Sequence, residues 1–355
     1  MTPRLRPVLE SLPAYVPGRT VPGAIKLASN ETPLPPLPHV VERIAQAATQ
    51  VNRYPDNGSL ELQHAIAAKY GVDPERVAIG CGSVSLCTQL VQAAADAGEE
   101  VLYAWRSFEA YPIITAVSGA SSIQVPLHDH VHDLDAMLAS ITGKTRVVFV
   151  CNPNNPTGTA VTRDALLRFL GAVDEDVIVA LDEAYREFVT DPDVPDGLTL
   201  LDTHPNLVVL RTFSKAYGLA GMRVGYAIAA DPAIAAALRQ TQVPFAVSSV
   251  AQAAALASLE PAAEAQLLAR VAELVAERER VQAELAAIGN EVPPSQANFV
   301  WFALGDATLE WAAGCEQRGV IVRAFAGSGA RVTIGTAAEN DAFLAAAREL
   351  RTSLP

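Results

Sequence analysis

Lysine is scarce in this chain of 355 residues: there are four, Lys26, Lys69, Lys144 and Lys215, against 22 arginines. Positive charge is short overall, with 26 basic side chains against 39 acidic ones and a formal net charge of −13. Phosphate backbones and anionic lipid surfaces demand concentrated positive charge, so the charge balance argues against a generic nucleic-acid or anionic-membrane binder. A local pocket for a small anionic cofactor is not excluded. No apolar run of about 18 residues occurs, so no spanning helix is expected. The opening MTPRLRPVLESLPAY lacks the apolar block of a secretion signal, which points to the cytoplasm. Cysteine is sparse. Cys81, Cys87, Cys151 and Cys315 have neither disulfide-scaffold nor zinc-ribbon spacing and read as buried thiols. GxSxG, HExxH, CxxC and a P-loop lysine are all missing, which removes the common hydrolase, protease and nucleotide-binding signatures.

What is present is a large core. Half the residues are apolar, enough for about two domains or one large α/β unit. The first 40 residues are rich in proline (Pro3, Pro7, Pro13, Pro17, Pro22, Pro33, Pro35, Pro36, Pro38) and are expected to form an irregular arm, not a sheet core. Helical patterns over 40–48 and 59–70, the latter stopped by Gly71, precede an alternation of strands and helices. Strands are expected at 77–80, 100–104, 121–127, 145–153, 177–185, 207–214 and 223–229, with helices at 83–98 (capped by Ser83 or Ser85), 108–118, 133–141 and 162–170. Such continuous apolar strands separated by helices suggest a parallel sheet covered on both faces. Asp231-Pro232 opens a further helix, and a long helical region spans 250–288. ANFVWFAL, VIVRAF and RVTIGT alternate like strands of a second, smaller sheet, and DAFLAAAREL closes as a helix. The boundaries drawn are 1–40 for the arm with part of the small domain, 41–244 for the large domain and 245–355 for the small C-terminal domain.

Lys69 and Lys144 read as solvent charges, on a polar helix face and in a turn, and Lys26 lies near the arm. Lys215 directly follows an apolar strand, where open α/β sheets bind ligands. A desolvated amine there has a lowered pKa and can act as a nucleophile; the alternative is a helix-start lysine paired with an acid. Asp182, at the end of VIVALDEAY with Tyr185 three residues on, is a carboxylate that burial obliges to find a partner. A protonated aromatic ring nitrogen is one partner and a metal another, though no second carboxylate cluster supports the metal. GCGSVS, with Ser83 and Val84 at a helix start, is either a phosphate cup or an ordinary tight turn. CNPNNPTG is a rigid turn in which Asn155 can donate to a ligand oxygen. Arg223, placed at a strand start, and Arg331 suit carboxylate or phosphate recognition, against a default of surface charge. Trp105 and Phe108 either stack on a flat cofactor or pack. His128, His130 and His132 alternate beside Asp129 and Asp133. Zinc is one reading, and a solvated loop the preferred one.

An amine, a carboxylate for a ring nitrogen, an anion cup, an asparagine–tyrosine pair and an aromatic platform are together the needs of pyridoxal 5'-phosphate. LASNETP, NRYPDNGSLEL, GCGSVSL, CNPNNPTG, LDEAY, TFSKAYGLAGMRVGY and RVTIGT run through nearly the whole chain. With them the sequence resembles the fold-type I pyridoxal-phosphate aminotransferases, in the branch of the histidinol-phosphate and aromatic amino acid enzymes. The resemblance implies a large, mainly parallel-sheet α/β/α domain with a smaller α/β domain. It implies that Lys215 bonds the cofactor, Asp182 holds its ring proton, Asn155 and Tyr185 bond its phenolic oxygen, and Phe108 stacks on its ring. Ser83, Val84, Ser214 and Arg223 would hold the phosphate, Tyr54 would reach the phosphate of the partner in a homodimer, Arg331 would clamp the substrate carboxylate and Asn30 would line the substrate side from the arm. No metal is implied.

On substrate, the histidinol-phosphate enzymes usually carry an acid where Val84 and Ser85 stand. WRSFEAY also departs from their usual run; both features resemble actinobacterial aromatic amino acid aminotransferases. Loss of a carboxylate and gain of Trp105 favour an apolar ring. The expectation is transamination of phenylalanine, tyrosine and tryptophan with 2-oxoglutarate. The alternatives are histidinol phosphate, whose phosphate Arg323 could hold, a decarboxylase on the same frame, and a catalytically dead or regulatory relative.

Overall fold

The computed structural model describes residues 5–12 and 18–350; Pro3, Pro13 and Pro17 of the expected arm lie outside them. In chain order the strands are β1 (Ile25–Leu27), β2 (Val77–Gly80), β3 (Glu100–Trp105), β4 (Ser121–Pro126), β5 (Thr145–Cys151), β6 (Ile178–Asp182), β7 (Leu207–Thr212), β8 (Gly225–Ala229), β9 (Phe299–Ala303), β10 (Val320–Phe325) and β11 (Gly329–Thr333). They form a seven-stranded sheet, β2-β8-β7-β6-β5-β3-β4, and a four-stranded sheet, β1-β10-β11-β9.

The strands of the large sheet are apolar without interruption because both of its faces are covered. Successive residues divide between two cores: Leu102, Val148, Val150, Val179 and Val209 point to one, and Val101, Tyr103, Val147, Phe149 and Val208 to the other. The pairs from β4 through β3, β5 and β6 to β7 are parallel. The strand at 225–229 departs from the parallel expectation, since β8 runs antiparallel to both β2 and β7. The 213–224 connection from β7 contains a three-residue 3-10 turn, Ala220–Met222, and no α-helix of the kind that usually carries a parallel crossover.

The arm is more regular than its prolines suggest. Ile25–Leu27 falls between prolines and joins the small sheet in parallel with β10, Ile25 facing Val320. The expected long helix is two, Ser249–Leu259 and Pro261–Ala287. Glu260, held extended by the proline after it, forms the break. Capping follows sequence elsewhere: Asp231 accepts from Ala233 N with Pro232 in the first turn, and Thr162 accepts from Ala165 N. The helix Ser83–Ala94 differs from expectation, stopping before Gly98 and using Gly82 as its N-cap with no side-chain cap bond.

Three polar assignments also change. Lys69 is not a free surface charge. It pairs with Glu264, which also accepts from the Tyr217 hydroxyl at 2.8 Å. His132 is buried against Asn154 at 3.1 Å, and burial lowers its pKa to about 4. His128 stays exposed, so the three imidazoles do not converge. Cys81 is half-buried, unlike the fully buried Cys87, Cys151 and Cys315.

Candidate active site

A cavity of about 440 Å³ opens where the carboxyl ends of β5, β6 and β7 meet the arm and the small sheet. Asn30, Ser83, Val84, Phe108, Asn155, Asp182, Tyr185, Ser214, Lys215, Arg223 and Arg331 all line it. Tyr54 does not line it: its side chain is 82% exposed and stacks on Phe245, with ring centroids 4.5 Å apart. Trp105 is also absent from the lining, and packs edge-on against Tyr103 instead.

β6 ends at Asp182, which is 3% exposed. Its Oδ2 accepts from the Tyr111 hydroxyl at 2.8 Å and its Oδ1 from the Ala184 amide at 3.2 Å. Burial raises its pKa, while these two bonds and the charge of Lys215 oppose the rise. Tyr111 is fixed in turn by stacking on Phe149 at 4.4 Å and meeting Phe108 edge to face at 5.5 Å. Sequence reading passed over Tyr111. It lies three residues after Phe108, straddling the start of the helix Ala110–Ser118, and that spacing was the available signal.

Lys215 follows β7 and donates to the Ser29 carbonyl at 3.4 Å. Its pKa falls to about 7, from burial first and then from the positive charges of Arg331 and Arg223, with Glu31 and Asp182 opposing. An amine in this state is a competent nucleophile and base near neutrality.

The anion cup is built on backbone. Gly82 at φ 74 has no side chain to bond the first turn of Ser83–Ala94; the Ser85 amide donates to the Gly82 carbonyl at 3.2 Å, and the Ser83 and Val84 amides at the helix start are the ones placed for an anion. A Cβ on Gly82 would lie 2.8 Å from Arg223 Nη2, so the guanidinium packs directly on this glycine. Arg223 precedes β8 instead of opening it, at φ 59, and donates to the Ala220 carbonyl at 2.9 Å. The Ser214 amide donates to Thr212 Oγ1 at 3.1 Å, tying the other side of the cup to β7.

Above the cup the arm and small sheet interlock. Asn30, at φ 53, donates from Nδ2 to the Tyr185 hydroxyl at 2.8 Å and from its amide to Thr333 Oγ1 at 2.9 Å. Arg331 donates to Asn155 Oδ1 at 2.5 Å and to the Ala28 carbonyl at 2.9 Å. Behind β6 and β7, Arg211 donates to buried Glu183 at 2.7 Å and to Asp196 at 2.7 Å. Removing one partner of such a pair strands a buried charge, at a cost of about 3–5 kcal/mol. Glu31, Glu109 and Arg323 also line the cavity. Of these, the two acids carried no sequence signal.

These side chains fit pyridoxal phosphate: a low-pKa amine, a buried carboxylate opposite it, a ring platform and a glycine-lined anion cup. Comparison with known proteins agrees. The model of the family "Aminotransferase class I and II" matches residues 22–346. The chain is similar to an aromatic amino acid aminotransferase of Rhodococcus jostii (strain RHA1), 59% identical over 97% of this chain and 95% of that protein. Its counterpart in Thermobifida fusca (strain YX) is 57% identical over 98% and 97%. The crystal structure of a histidinol-phosphate aminotransferase from Sinorhizobium meliloti, in complex with pyridoxal-5'-phosphate, superposes with a TM-score of 0.88 at 31% identity, covering 100% of this chain and 99% of that one. The fold and site therefore define a fold-type I enzyme that depends on pyridoxal phosphate. The chain belongs to the class I and II aminotransferase family.

Proposed function

We propose that this enzyme transaminates aromatic L-amino acids (phenylalanine, tyrosine and tryptophan) with 2-oxoglutarate as amino acceptor. The observation that carries the reading is a cavity lined by Val84 at the cup, with Ser85 next in the chain, where the histidinol-phosphate enzymes usually carry an acid. The names of the Rhodococcus and Thermobifida relatives support it.

In this reading the bound cofactor supplies an electron sink for charge developing at the substrate α-carbon. Ser83, the Val84 amide, Ser214 and Arg223 hold its phosphate, and Phe108 packs on its ring. Asp182 holds a proton on the ring nitrogen and so stabilises charge that builds up only as the α-proton leaves. Asn155 has its Oδ1 taken by Arg331, so its Nδ2 end meets the phenolic oxygen together with the Tyr185 hydroxyl. Arg331 binds the substrate carboxylate from β11, and Asn30 closes the substrate side. Lys215 would hold the cofactor through its Nζ and, as a free amine, would take the α-proton and return it; burial and the neighbouring guanidiniums lower its pKa, which favours the neutral base that step needs.

The same proposal takes the chain as a homodimer in the cytoplasm. Tyr54 and Phe245, with exposed Val51 and Val243 nearby in sequence, form the surface that a second copy would cover, and Tyr54 would enter its cup. Among the described residues no helix is long and apolar enough to cross a membrane. We retain 41–244 and 245–355 as the large and small domains, with 1–40 shared between the arm and the small one.

Arg323 in the cavity favours a second reading, histidinol phosphate. Steady-state assays of the purified enzyme with 2-oxoglutarate decide between them. Phenylpyruvate formation with a kcat/KM at least tenfold above that for histidinol phosphate is expected; the reverse order would replace the aromatic assignment.

A further inference from the structure

Glu109 stands at the N-cap of the helix Ala110–Ser118, yet its side chain makes no cap bond there. It reaches the small sheet instead, where Oε2 lies 2.7 Å from Arg323 Nη2. Both side chains line the active-site cavity. The strand register explains why a carboxylate is needed at this point. Arg323 on β10 is the direct partner of Arg331 on β11, so two guanidiniums sit side by side in adjacent antiparallel strands. Like charges placed directly opposite are destabilising unless neutralised. Both also lie over the Phe325 ring, at 5.4 and 5.7 Å, and Arg106 lies over its ring at 5.4 Å. Three cations thus surround one ring. Arg331 is occupied by Asn155 and the Ala28 carbonyl, and Arg106 by Ser328 at 3.0 Å. Among the described residues, Glu109 is the carboxylate within salt-bridge distance of Arg323.

We infer that Glu109 is a specificity-determining residue, acting as the counterion of Arg323 in the cavity wall. The inference rests on the aromatic reading above. With the pair closed, the wall is neutral toward an apolar ring. A substrate whose far end is an anion, the acceptor 2-oxoglutarate included, reaches the guanidinium only by displacing Glu109, and that displacement weakens its binding relative to a substrate with an apolar ring. The discrimination therefore comes from a competing internal ligand and not from the lack of a cation.

Two unreactive ligands isolate this effect in the holoenzyme: 3-phenylpropanoate and glutarate. Each offers one carboxylate to Arg331, and they differ at the far end, phenyl against carboxylate. The Glu109→Gln variant is expected to lower the inhibition constant of glutarate about tenfold or more, as expected for a freed charged donor. That of 3-phenylpropanoate should stay within about threefold. Arg323→Gln, as a second variant, is expected to weaken glutarate and spare 3-phenylpropanoate. Equal changes for both ligands in Glu109→Gln, or no change, would overturn the inference and leave a purely structural ion pair. If that variant does not fold, equal effects in Arg323→Gln would do the same. Failure of the unaltered enzyme to convert L-phenylalanine would instead overturn the aromatic reading itself, so the two failures are distinguishable.

Discussion

Lys215 stands out in sequence because its kind is rare, and its position after an apolar strand gave it chemical meaning. What sequence could not supply was the set of charges around it. Arg331 comes from a remote position, and with burial and the nearby Arg223 it brings the pKa to about 7 from an ordinary 10.5. The sign of the consequence is fixed. Between those two values an unfolded chain holds the proton and the folded apoenzyme does not. Stability therefore rises with pH across that window, and the full cost of burying the charged amine is present below about pH 7. Lys215→Met should make the apoenzyme more stable below pH 7, measured by denaturant melts, with the difference shrinking toward pH 10. The rate at which unaltered apoenzyme takes up pyridoxal phosphate should climb with pH and level off just above 7. A midpoint near 10 would contradict the depressed value. Tyr111 and Glu109 show the limit of reading residues singly: each lies inside the quoted stretch WRSFEAY, yet their partners Asp182 and Arg323 are 71 and 214 positions away.

Strand order and helix order were legible from apolar periodicity and caps, because both faces of the large sheet are covered and the punctuation is local. The parallel direction of β3 to β7 was legible too, but the exception was not. β8 reads like its parallel neighbours but runs opposite to them, and β1 hides among prolines. The direction of an added strand depends on what its connection folds into and on which edge of the sheet is free, and neither leaves a mark in composition. The anion cup shows what β8 does for the site. A Cβ on Gly225 would lie 2.6 Å from the Ser83 amide nitrogen and 2.9 Å from the Arg211 carbonyl oxygen, both backbone atoms that cannot swing away. Gly225→Ala should therefore push the Gly82–Ser83 turn off the sheet. We expect an overpacking cost of about 1–3 kcal/mol in a thermal melt. Affinity for pyridoxal phosphate should fall about tenfold or more in a fluorescence titration. An unchanged dissociation constant would show that the turn is not seated on this glycine.

For the molecule as a whole, the cavity gathers the proposed side chains except Trp105, which packs on Tyr103, and Tyr54, and the second exception concerns assembly. The Tyr54 ring is 82% exposed in the single chain, beside Phe245. If each cup is completed by the other copy, Tyr54→Ala and Lys215→Ala proteins that are each inactive should complement when mixed and reassociated. Random pairing of subunits would restore roughly a quarter of normal activity, because half the dimers carry one intact site. Absence of any recovery, with mixed dimers confirmed by mass, would place Tyr54 outside its neighbour's site. The central claim, a pyridoxal-phosphate enzyme whose Lys215 cavity accepts aromatic amino acids, is tested most directly by the visible spectrum of the purified protein before and after substrate. A yellow band that bleaches on L-phenylalanine with release of phenylpyruvate, and that is missing from Lys215→Ala, is the predicted result. A band that ignores L-phenylalanine and bleaches with histidinol phosphate alone, or no band even after pyridoxal phosphate is added, would contradict it.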